Sequence, residues 1–130
     1  MRKYSGPSGL IHRISVDSAV LRGNLLGDPA VRAVDVYIPA GHTGSSLPLL
    51  VDLVGFTGSG LSHTNWVGFR ENVPERLDRL IGEGRMPPVV VAFPDCFTRV
   101  GGNQYINSAA DAGLGECRDD HIDLRTTILG

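Results

Sequence analysis

An α/β fold is predicted by three features in the middle of the sequence. Two apolar runs, residues 47–54 and 89–93, read as strands buried on both faces of a parallel sheet. Between them, residues 72–84 place Val73, Leu77, Leu80 and Ile81 at helical spacing. A glycine-rich turn with Gly55, Gly58 and Gly60 leaves the first run. Strand, glycine turn, helix and strand make a βαβ unit, whose crossover is expected to be right-handed.

The elements follow in chain order. Residues 10–26 alternate irregularly, with turn chemistry at Asp17 and Ser18, and read as a strand or a short hairpin. Gly27, Asp28 and Pro29 form a second turn. Residues 31–38 are β-branched and alternating, ended by Pro39, which predicts a strand with one wet face. A polar loop, 40–46, leads into the apolar run that ends at Val54. After the glycine turn, a polar loop is expected out to Trp66. The helix is expected to be capped by Asn72, with Pro74 in its first turn and Gly82 or Gly84 at its end. Its polar side carries Glu75, Arg76, Asp78 and Arg79. Pro87 and Pro88 then introduce the second run, closed by Pro94 and Asp95. From Asp111 onward the apolar residues scatter, so the division expected is residues 1–110 as part of one domain and 111–130 as a tail.

The chain of 130 residues suits one compact domain. A domain of this size buries roughly two-thirds of the surface its unfolded chain exposes. Twelve basic and 14 acidic residues are interspersed, for a formal charge of −2, and no basic stripe points to nucleic acid. No apolar stretch reaches the ~20 residues that cross a bilayer, and no apolar run follows Met1, Arg2 and Lys3 as a leader would require. A cytoplasmic location without membrane contact is the expectation. Cys96 and Cys117 lack metal-ligand spacing and read as free thiols. The acidic cluster around His121 (Asp119, Asp120, Asp123) reads as solvated charge, so neither a metal nor a cofactor is expected. Gly55, Gly58 and Gly60 do not follow the G-x-G-x-x-G order of a dinucleotide site.

In order and spacing, a series of segments resembles a known family. The series runs from Val36, Tyr37, Ile38 and Pro39, through residues 47–55, Asn65 and Trp66, and residues 77–81. It continues through Gly84, Arg85, Met86, Pro87 and Pro88, residues 89–95, and Gly101 to Ser108. Across residues 31–110 the sequence is similar to α/β-hydrolase esterases of the enterochelin-esterase-like and S-formylglutathione-hydrolase-like kind. The resemblance implies a serine nucleophile on a Gly-x-Ser-x-Gly turn, a His base and an orienting acid. No serine here sits in that pattern; at Ser59, Thr57 and Leu61 occupy the glycine positions. The resemblance therefore covers the N-terminal half of such a domain, truncated before the nucleophile turn and with no catalytic residue of its own. What carries over is the oxyanion loop at Gly55 and Phe56, with the Phe56 N–H as donor. The alternative for this segment is a plain βα turn.

Trp66, Tyr105 and His63 are candidate walls of a substrate pocket, with a solvated loop histidine the commoner role for His63. His12, His42 and His121 do not fall where the family keeps its base. Asp95, at the end of a buried strand, reads as a cap for the next loop, and Asp52 requires a hydrogen-bond partner. The implied substrate is a small-molecule ester. In the family sheet another strand packs beside residues 47–54, so that strand is expected to form an open apolar edge here. That edge suits a homo-oligomer or a complementing chain, which gives the alternative function: a non-catalytic module that associates through it.

Overall fold

The computed structural model describes residues 4–102. In chain order it contains β1 (Leu10–Asp17), β2 (Val31–Ile38), β3 (Leu49–Val51), α1 (Gly60–Thr64), α2 (Val73–Gly82), β4 (Val90–Pro94), β5 (Phe97–Thr98) and β6 (Gly101–Gly102). The last two form a small separate hairpin, and the other four strands make one mixed sheet in the order β1-β2-β4-β3. β1 lies antiparallel to β2 along its whole length, from Leu10 opposite Ile38 to Asp17 opposite Val31. β2 is antiparallel to β4, with Tyr37 opposite Val91, and β3 runs parallel to β4, with Leu50 opposite Val91. The parallel pair with helices between its strands is the βαβ unit expected from the sequence, and the fold class is α/β.

β4 is the centre of the molecule. Its alternate side chains feed two cores, and Val90, Val91, Ala92 and Phe93 are at most 1% exposed. On one face, Val90 and Ala92 pack with Val16, Val34 and Val36. On the other, Val91 and Phe93 pack with Tyr37, Leu77 and Val89, and α2 closes that face with Val73 and Ile81. Five consecutive apolar residues suit a strand covered on both sides, because each side chain removed from water contributes about 1.5–3 kcal/mol.

α2 forms where its local signals place it. The Asn72 side chain accepts from the Glu75 N–H, the Glu75 carboxylate accepts from the Asn72 N–H, and Pro74 sits in the first turn. The helix ends at Gly82, with Glu83 as C-cap.

Elsewhere the structure departs from the pattern reading. β2 has no wet face: Val34, Asp35, Val36 and Tyr37 are all buried. Asp35 and Tyr37 look polar in sequence but turn toward α1 and α2, where both find partners. Asp78, on the expected polar side of α2, is buried as well, because its Oδ1 accepts from the Tyr37 hydroxyl at 3.0 Å and the Gly9 N–H at 2.7 Å. Residues 18–30 form turns rather than a second hairpin strand. The buried Asn24 ties them together, donating to Leu21 O and Asp28 O and accepting from Asp28 N–H. The 47–54 run contributes only a three-residue strand at the sheet edge, with Leu50, Val51 and Leu53 between 38% and 52% exposed. An edge strand pairs on one side, so its second face is not enclosed among the described residues.

The 5-residue helix α1 occupies part of the expected loop. It has no apolar periodicity and is too short to persist alone. Tertiary bonds described below hold it. No described helix is long and apolar enough to cross a membrane.

Candidate active site

β3 and β4 run parallel, so their carboxyl ends share one edge of the sheet, the usual position of sites in open α/β sheets. Gly55 and Phe56 follow β3 at that edge. The Gly58 N–H donates to Gly55 O at 3.0 Å, closing a turn over Phe56 and Thr57. Among the described residues the Phe56 N–H meets no acceptor. The Phe56 ring lies across Gly101, where a Cβ would stand 2.8 Å from two ring carbons. That contact joins the loop to the β5–β6 hairpin.

α1 begins against the end of β4. A Cβ at Gly60 would lie 2.4 Å from the Phe93 carbonyl carbon and 2.5 Å from Pro94 O, so only glycine allows this approach. Two side-chain bonds then fix the helix. The Thr64 hydroxyl donates to Asp35 Oδ2 at 2.9 Å, and His63 Nδ1 lies 2.5 Å from Asp52 Oδ2. Asp52, which interrupts an apolar stretch, thus finds its partner in a helix that sequence periodicity does not reveal. The pairing fixes the imidazole orientation and leaves Nε2 as the ring's other polar atom.

Asp35 is the anchor of this assembly. Its carboxylate receives Arg13 in a forked pair, Nε at 2.7 Å and Nη2 at 3.0 Å, together with the Thr64 hydroxyl. The Arg13 hydrogen bond holds the Asp35 carboxyl below the usual carboxylate range despite its burial, and Thr64 acts in the same direction. The Tyr37 phenol is pushed well up, first by burial and then by the Asp78 carboxylate it serves, so it stays protonated as a donor.

The remaining residues singled out from sequence are dispersed over the fold rather than gathered at this edge. Ser59 is the N-cap residue of α1 but makes no side-chain cap; its carbonyl accepts from the Ser62 hydroxyl at 2.7 Å. Asp95 accepts from the Phe97 N–H at 3.2 Å, as a loop cap does. Trp66 is 79% exposed, with its ring near Gly68. His12 and His42 are exposed, and Cys96 is part-buried and forms no disulfide. Tyr105, Cys117, His121 and residues 111–130 lie outside the described residues. No group of three metal-ligating side chains occurs among the described residues.

Two clefts flank these elements. The larger, about 550 Å³, is lined by Tyr4, Pro7, Tyr37, Ile81 and Asp78 among others. It lies by Ala40 and Gly41, which follow β2, at the opposite end of the sheet from Gly55. The smaller, about 180 Å³, runs between α1 and the start of α2 and includes His63, Arg70, Asn72 and Arg76. The smaller cleft is the one that adjoins the loop chemistry, through the His63–Asp52 pair. Two of its residues, Arg70 and Arg76, carry no motif in the sequence; only the packing of α1 against α2 brings them beside His63.

The sequence matches no established family profile and no curated protein. Its fold is similar to solved ferulic acid esterases. One aligns with a TM-score of 0.55 and 19% identity over 71% of this chain and 33% of its own. The CE1 ferulic acid esterase of Anaeromyces mucronatus, solved in complex with ferulic acid, aligns with a TM-score of 0.56 and 17% identity. That alignment covers 75% of this chain and 32% of the esterase, and the same enzyme without substrate gives 77% and 34% at the same TM-score. The chain spans about a third of the length of these structures. The shared feature is the fold, part of an esterase-type α/β domain.

Proposed function

We propose that this chain carries the oxyanion-loop part of a serine carboxylic-ester hydrolase acting on a small-molecule ester, of the enterochelin-esterase-like and S-formylglutathione-hydrolase-like kind. The observation that carries the reading is the Phe56 N–H, without an acceptor among the described residues, on the turn that leaves β3. A fixed N–H at this place suits an oxygen that gains negative charge during acyl transfer, and one such donor contributes about 10²–10³ in rate. The fold shared with ferulic acid esterases supports the same assignment. The 130 residues hold no serine in a Gly-x-Ser-x-Gly turn, so on this reading turnover requires residues beyond them and the chain alone is inactive.

The test is p-nitrophenyl acetate turnover by the purified chain, with a serine-directed phosphonate and intact mass as readout. No burst and no adduct are expected; a stoichiometric adduct on Ser59 or Ser62 would overturn the inactivity. Where these residues are joined to a nucleophile turn, Phe56→Pro should lower kcat by about 10²–10³ with little change in KM. An unchanged kcat would remove Phe56 from the role.

A second reading, a non-catalytic module that pairs through its sheet edge, is favoured by one observation. β3 is an edge strand among the described residues, with Leu50, Val51 and Leu53 exposed. Sedimentation should then show a dimer that Leu50→Lys dissolves, because a charge on an edge opposes pairing. A monomer at all concentrations would dismiss it.

A further inference from the structure

The cleft between α1 and α2 is lined by two arginines, Arg70 and Arg76, that the ester-hydrolase reading does not use. Most of its polar groups are already engaged. Glu71, the carboxylate in the lining, receives Arg79 in a forked pair at 2.8 and 3.0 Å. The Asn72 amide donates to Thr64 O and Asn65 O, and its Oδ1 accepts from Glu75. The Ser62 hydroxyl donates to Ser59 O. Two guanidinium groups remain in the cleft, those of Arg70 and Arg76, with no acceptor among the described residues; that of Arg99 also has none but lies outside the cleft. Arg13, Arg22, Arg32, Arg79 and Arg85 each have a carboxylate or carbonyl partner. The other group on hand is His63, whose Nδ1 is held by Asp52.

We propose that this cleft is a phosphate-binding site, in which Arg70 and Arg76 hold two oxygens and His63 Nε2 accepts from the phosphate hydroxyl. The fork of a guanidinium matches the oxygens of a phosphate, and two forks supply more than one oxygen needs. In the tautomer that donates from Nδ1 to Asp52, the ring presents an acceptor at Nε2. A hydrogen phosphate group offers both acceptor oxygens and a hydroxyl donor, whereas a carboxylate ion lacks the hydroxyl. The cleft volume of about 180 Å³ admits such a head group and little more, so the rest of a phosphomonoester would extend into solvent. The site stands on its own geometry and is independent of whether the Phe56 loop serves an ester.

The test is a titration of the 130-residue chain with inorganic phosphate at constant ionic strength, followed by NMR of the His63 ring. A saturable shift is expected, weakened about tenfold by Arg70→Gln or Arg76→Gln, since a charge-assisted hydrogen bond is the interaction removed. Arg99→Gln, which removes an exposed guanidinium outside the cleft, should change nothing. Binding of phenyl phosphate at least as tight as inorganic phosphate would assign a phosphomonoester; weaker binding would assign the free ion. Acetate binding equally well would overturn the phosphate assignment. Non-saturable shifts, or equal weakening by Arg99→Gln, would overturn the site itself. The p-nitrophenyl acetate and phosphonate experiment reads the ester hypothesis separately, so the two can fail independently.

Discussion

The close approach of α1 to β4 makes a sharp prediction about two glycines five residues apart, Gly60 and Gly55. At Gly60 an added Cβ would meet three backbone atoms, Phe93 C at 2.4 Å, Pro94 O at 2.5 Å and Phe93 O at 2.6 Å. Ordinary contact begins near 3.4 Å, so α1 or the end of β4 must move by close to an ångström, and no side-chain rotation relieves it. Overpacking of this sort costs about 1–3 kcal/mol. Alanine at the first helical position recovers up to ~1 kcal/mol of helix propensity. Gly60→Ala should therefore be less stable by about 1–2 kcal/mol on balance. Gly55 has nothing within 4 Å and no positive φ, so Gly55→Ala should be stabilised by about 0.4–1 kcal/mol through the unfolded chain. Urea unfolding followed by far-UV circular dichroism measures both, and Trp66, being exposed, is a poor probe. With an m value of about 1–3 kcal/mol/M, the Gly60→Ala midpoint should fall by roughly 0.5–1 M while that of Gly55→Ala rises. A Gly60→Ala midpoint at or above that of the parent would refute the packing of α1 against β4.

Other substitutions test the remaining contacts. Phe93→Ala, at a side chain that is 0% exposed in the core under α2, should cost about 3–5 kcal/mol by thermal or urea unfolding; a loss below 1 kcal/mol would mean the core is not closed there. Tyr37→Phe removes the donor to Asp78 and should cost about 1 kcal/mol, leaving Gly9 N–H on the same oxygen. Asp35 sets an acid limit. Its folded-state carboxyl titrates below the unfolded value of 3.8, so its contribution is complete above that pH and is lost as pH falls through the lower folded value. Unfolding free energy should decline below about pH 4, and Asp35→Asn should flatten that decline; an equally steep acid limb in the variant would contradict the Arg13–Asp35 arrangement.

Local chemistry alone determined α2, β4 and the ends of β2. Asn72, Glu75 and Pro74 act on the first turn of their own helix, and the run from Val89 to Phe93 needs no partner identity to be read as buried. Pro39 marks the end of β2 because it has no N–H to continue a ladder. The parallel pairing around a helix followed from those elements, and the esterase-type fold agrees with it. Tertiary structure decided the rest, because the deciding partners lie far away in sequence. Asp78 is buried by Tyr37 and Gly9, Asp35 by Arg13 and Thr64, and Asp52 is met by His63. Asp35 and Asp78 look solvent-bound in their own segments, and their burial is tolerable only because distant donors reach them; Asp52 reads as needing a partner, but only the fold shows that it is His63. α1 shows the same rule: five residues with no apolar stripe become a helix because Gly60 can touch β4 and Thr64 can reach Asp35. The sequence therefore determined β2, α2 and β4, and the three-dimensional packing decided α1, the short extent of β3 and which charged side chains stand together at the edge where the candidate site forms.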